Sequence, residues 1–76
     1  MAAPVVYVDV VEPGRALITG PGFSGRVGRQ GNVFYVEDTD SETLVSSAAP
    51  NYTVAARKLA AFHGLARVRV EIDFEY

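Results

Sequence analysis

Gly20-Pro21-Gly22-Phe23-Ser24-Gly25-Arg26-Val27 is the stretch whose residue types come nearest to a chemical device. Its G-x-G-x-x-G-x-V spacing is that of a phosphate cradle, in which glycines let the backbone approach phosphate oxygens and a following valine packs on a base. The remainder of that chemistry has no carrier. A kinase needs a strand lysine after the loop, a catalytic aspartate and a metal-binding aspartate, whereas Lys58 lies far along in a helical pattern. Nor do the glycines open a helix inside a β-α-β unit, as a dinucleotide fingerprint requires. A nucleotide-binding enzyme using Gly20–Gly25 therefore stands third among the readings, and no cofactor is expected.

Other reactive groups are dispersed. Glu37, Asp38, Asp40 and Glu42 crowd one turn, but a calcium loop needs glycine at its sixth position and a bidentate glutamate at its twelfth, and neither is present. The turn reads as a solvated hairpin tip. His63 is the sole histidine, and no spacing sets it beside Ser24, Ser41, Ser46 or Ser47 with a carboxylate behind it, as nucleophilic catalysis demands. Immediately before Gly64 it reads as the end of a helix. No catalytic residue and no metal site is expected. Asn51-Tyr52-Thr53 has the form of a glycosylation sequon, but as the start of a helix it reads as an N-cap.

Arg15, Arg26, Arg29, Arg67 and Arg69 could gather on one sheet face and meet phosphates, which makes a sheet-based nucleic-acid binder the second reading. Against it, seven basic and nine acidic side chains give a net charge of −2, without general attraction to a polyphosphate or an anionic bilayer.

The elements that must position these groups follow from periodicity. Ala66 to Tyr76 alternates strictly: Ala66, Val68, Val70, Ile72, Phe74 and Tyr76 form an apolar row, and Arg67, Arg69, Glu71, Asp73 and Glu75 a charged one. Such alternation predicts a half-buried strand in an antiparallel sheet with one wet side. Val5–Val11 and Arg15–Thr19 read as a hairpin turning at Glu12-Pro13-Gly14, and 32–37 and 42–46 as a second one. Between them, glycines at 20, 22, 25, 28 and 31 predict a flexible loop or bulged segment. A helix is expected from the Asn51 cap to about Phe62, with Tyr52, Ala55, Ala56, Leu59, Phe62 and His63 on one side. The expectation is one α+β domain spanning 1–76, ordered β-β-β-β-α-β, with a single antiparallel sheet of four or five strands and one helix across it.

Cysteine is absent, which excludes disulfides, iron–sulfur clusters and thiol nucleophiles and fits a reducing cytoplasm. The apolar start is broken by Asp9, too early for a secretory or membrane-spanning segment, so no membrane partner is expected. The leading functional reading is a non-enzymatic protein-interaction module: an inhibitor, adaptor or assembly subunit. Phage and mobile-element products, such as anti-defence inhibitors or small virion components, supply many small acidic domains of this type. The expected contact residues are Arg67, Arg69, Glu71, Asp73 and Glu75 on the last strand, with Phe23, Arg26 and Arg29 from the glycine-rich segment. Arg67 and Arg69 at one end and three acids at the other make a dipolar stripe suited to orienting a partner. An edge position for this strand would also allow pairing with a second copy.

Overall fold

A computed structural model describes residues 2–76 as an α+β fold with one six-stranded mixed sheet and one helix. The strands are β1 (Val5–Glu12), β2 (Arg15–Gly20), β3 (Phe23–Gln30), β4 (Val33–Asp38), β5 (Thr43–Ala49) and β6 (Arg69–Phe74), and α1 spans Tyr52–Phe62. In space the order is β5-β4-β3-β2-β1-β6. β1 to β5 form an antiparallel meander, and β6 lies on the outer flank of β1, parallel to it.

Three expectations are corrected here. The sheet has six strands rather than four or five, because the glycine-rich segment is a strand, β3, and not a loop. The packing shows why. A Cβ added at Gly20 would fall 2.2 Å from the Phe23 ring, one at Gly25 would fall 2.5 Å from Leu59 Cδ2, and one at Gly28 would fall 2.2 Å from the Tyr35 ring. Each glycine is thus a seat filled by a neighbour's side chain, and the segment gains the packing that its own composition lacks. The second correction concerns direction. Four successive reversals leave β5 pointing the same way as β1, and one helical return sends β6 that way again. Placed beside β1, it is necessarily parallel. The expected strand is also shortened to Arg69–Phe74, and its apolar row is covered only at the start: Val68 is buried and Val70 half-buried, whereas Ile72, Phe74 and Tyr76 are exposed because the strand is the last in the sheet.

The helix covers the face formed by Val6, Val8, Val10, Ala16, Ile18, Phe23, Val27 and Val36, all buried. From its own side it contributes Ala55, Ala56, Leu59 and Ala60, so three of its four buried side chains are methyl groups and the axis can approach the sheet closely. Asn51 caps its first turn, Oδ1 accepting from the Val54 amide at 2.8 Å. Gly64 takes φ +82° just past its end, the left-handed conformation that closes a helix there. No described helix is long and apolar enough to cross a membrane.

Candidate functional site

With one face under the helix, the other is left to solvent. Its residues are set by strand parity. Register pairs Tyr7 with Thr19 and Asp9 with Leu17, then Leu17 with Arg26, Gly28 with Tyr35, and Tyr7 with Glu71 across β6. The open face therefore carries apolar bodies among charges. Tyr7 is 50% exposed, Leu17 49% and Val11 39%. The rings and stems of Val11, Arg15, Leu17, Arg26, Tyr35 and Glu37 surround a shallow depression of about 220 Å³. Tyr35 forms one of its walls because Gly28 beneath the ring offers no side chain to push it away. Tyrosine and arginine in this arrangement supply large contact area with polar tips, the composition of protein recognition surfaces.

At the β6 margin of this face, Arg69 Nη2 lies 2.9 Å from Glu71 Oε1, with both side chains largely exposed. Asp9, Asp73 and Glu75 bring carboxylate oxygens within 4.8 Å of one another at the far end of β6. These are the residues that geometry would allow to share a hard cation, although exposed acids gather in this way without one. Arg67 precedes the strand and is exposed.

The residues expected from sequence are thus divided. Arg69, Glu71, Asp73 and Arg26 share the open face. Arg29 falls on the opposite parity, paired with Phe34, and its Nε donates to the Gly31 carbonyl at 3.0 Å. The arginines do not converge. Phe23, expected at a contact surface, is only 5% exposed and stacks on the His63 ring at 4.7 Å. Tyr7, Leu17, Val11 and Tyr35 were not among the expected contacts. Their signal was the second register of the strands: Val5, Tyr7 and Val11 on β1, Leu17 on β2 and Tyr35 on β4 are apolar or aromatic positions of the face opposite the core, which a single half-covered sheet must leave partly wet.

A second polar cluster lies where α1 meets the end of β4. Asp38 is 1% exposed. Its Oδ2 accepts from the Ser41 hydroxyl at 2.7 Å and the Ser41 amide at 3.0 Å, and its Oδ1 accepts from His63 Nε2 at 2.5 Å. The hydroxyl bond above all, with the His63 contact next, pulls the Asp38 carboxyl down to about 2. An ionised carboxylate only accepts, so Nε2 carries the hydrogen. The order of groups is hydroxyl, carboxylate, imidazole. Nucleophilic catalysis needs the imidazole in the middle, so this cluster is a clasp between helix end and hairpin.

Since folding lowers the Asp38 pKa below its ordinary 3.8, the stabilisation is complete above that value and is lost as pH falls from about 4 towards about 2. Asp38→Asn is expected to flatten the acid limb of stability in that window. Urea midpoints measured from pH 7 down to pH 2 test this; an unchanged acid limb in the variant would assign acid sensitivity elsewhere.

Comparison with protein-family models, with curated proteins and with solved structures finds no match to this chain.

Proposed function

We propose that this chain is a non-enzymatic protein-interaction module, of the inhibitor, adaptor or assembly-subunit kind, docking its partner on the open face of the sheet. The observation that carries the reading is the half-exposed pair Tyr7 and Leu17 beside a depression walled by Arg26 and Tyr35. Half-exposed aromatic and aliphatic bodies ringed by charges are what a partner desolvates, and the charges around them set orientation and encounter rate. Gly20, Gly25 and Gly28 are filled by Phe23, Leu59 and Tyr35, which leaves less room for a phosphate among them and favours this reading over a nucleotide site. The separation of Arg26 from Arg29 favours it over a nucleic-acid surface.

The test is capture of partners from the native host by the tagged wild-type chain and by Tyr7→Ala, Leu17→Asp and Arg26→Glu variants, each confirmed folded by circular dichroism. A stoichiometric protein partner is expected, with affinity reduced roughly tenfold or more in each variant. A partner held equally by all the variants overturns the docking face. Recovery of no protein, or of nucleic acid with steep salt dependence, overturns the reading itself.

A further inference from the structure

The two margins of the sheet differ. β5 is irregular: its pairing with β4 shifts register between Phe34 and Val36 and again between Val36 and Glu37, the kind of bulging that protects an edge from further pairing. β6 is regular, pairing without interruption from Val5↔Arg69 to Val10↔Phe74. The Arg69 amide donates to the Pro4 carbonyl and the Glu75 amide to the Val10 carbonyl. In a parallel ladder, residues of this parity turn their backbone groups towards β1, so Val70, Ile72 and Phe74 turn theirs to the free edge. Ile72 and Phe74 are 37% and 56% exposed, an apolar border on the helix side of that edge.

We propose that β6 pairs antiparallel with β6 of a second copy of this chain, about a two-fold axis at Val70, joining two sheets into one of twelve strands. Charge selects both the occupant and the register. Facing side chains must share a face, so the two residue numbers of a pair add to an even sum. With the axis at Val70, Arg69 faces the copy's Glu71 and Arg67 faces its Asp73, each twice by symmetry. Moving the axis to Glu71 sets Glu71 against itself, moving it to Ile72 sets Glu71 against Asp73, and moving it to Arg69 sets Arg69 against itself. One register alone is free of like-charge pairs, and such pairs are destabilising when directly opposed.

Backbone geometry is compatible with this register, as with any that pairs residues of equal parity. Val70 facing Val70 brings outward N–H and C=O groups together, while Arg69 and Glu71 fall at the non-hydrogen-bonded pairs, where side chains approach most closely. Groups left unpaired within one chain are also used. Among the described residues, the ion pairs join Arg15 to Glu12, Arg69 to Glu71 and His63 to Asp38. Arg67 and the crowded Asp9, Asp73 and Glu75 belong to none of them. In the dimer the copy's Arg67 faces that acidic crowd. The interface is isologous, so the assembly closes at two copies.

The test uses single charge reversals. Arg69→Glu makes positions 69 and 71 both acidic, and Glu71→Arg makes both basic. Each variant alone is expected to dimerise roughly tenfold more weakly than wild type in sedimentation equilibrium, and an equal mixture to form a heterodimer of near wild-type affinity, since 69 then faces 71 with opposite sign in both halves. Val70→Cys gives the chain its single thiol and, at the axis, sets two Cα atoms about 5.5 Å apart, within disulfide range. It is expected to cross-link quickly under mild oxidation, whereas Ile72→Cys, whose two copies lie about 14 Å apart, does so slowly. A wild type monomeric at every concentration overturns the dimer, as does failure of the mixture to associate. Equal cross-linking at 70 and 72 overturns the register. Tyr7 and Arg26 lie on β1 and β3, and their backbones are not on the free edge of β6, so loss of the open-face partner leaves this result unaffected.

Discussion

Leu59→Ala is expected to lower stability by about 2–5 kcal/mol, the range for truncating a fully buried leucine. Leu59 is 0% exposed and is the only large side chain among the buried residues of α1; Ala55, Ala56 and Ala60 are its companions. A domain of 76 residues has roughly 4–11 kcal/mol in total at the usual stability per residue. This one truncation therefore removes between a fifth and all of it. The void cannot close by collapse, because alanines on the helix and Gly25 on the sheet have no atoms to move into it. Urea denaturation followed by far-ultraviolet circular dichroism measures the effect. A loss below about 1 kcal/mol would place the anchoring in the alanine stripe instead.

Gly25→Ala is expected to cost about 1–3 kcal/mol, as overfilling of a packed core does. The new methyl would lie 2.5 Å from Leu59 Cδ2 and 2.7 Å from the Glu37 carbonyl oxygen. The first neighbour is the end of a flexible side chain and can turn aside. The second belongs to the adjacent strand and cannot move without disturbing the β3–β4 ladder. The two contacts separate in a double-mutant cycle. With Leu59→Ala present, the methyl meets one obstacle instead of two, so the pair is expected to be less destabilised than the sum by about 0.5–2 kcal/mol. Strict additivity would mean that the Glu37 carbonyl alone sets the cost.

These positions also mark the limits of what could be read from sequence. The helix was legible to its caps because Asn51, the 52–62 periodicity and Gly64 are local signals, each acting within one turn of the chain. The charged row from Arg67 to Glu75 was legible for the same reason, being a property of consecutive residues. The strand character of the glycine-rich segment is not legible because it is not its own: Gly20, Gly25 and Gly28 are completed by Phe23, Leu59 and Tyr35, of which Leu59 lies on another element far along the chain. The direction of β6 is not legible locally because it depends on how many times the chain reverses, and a count without β3 is one reversal short. The same omission hid the open face. Without β3 there is no partner strand to set Leu17 opposite Arg26 or Tyr35 over Gly28, and Tyr7 then looks like one more core residue. Phe23 was expected outside for a related reason. A residue assigned to a mobile loop is assumed to be wet, whereas here it heads a strand and shelters a histidine ring.

The pairing of β1 with β6 carries a consequence for how the polypeptide is made. Five strands are joined to their neighbours by tight turns, and each hairpin can zip as soon as it leaves the ribosome. The first strand, by contrast, has a flank whose companion is the last strand of the sheet to be translated. Until then Val6, Val8 and Val10 border an open seam on the nascent chain, and anything that delays or removes the closing strand leaves that seam free to recruit a stranger.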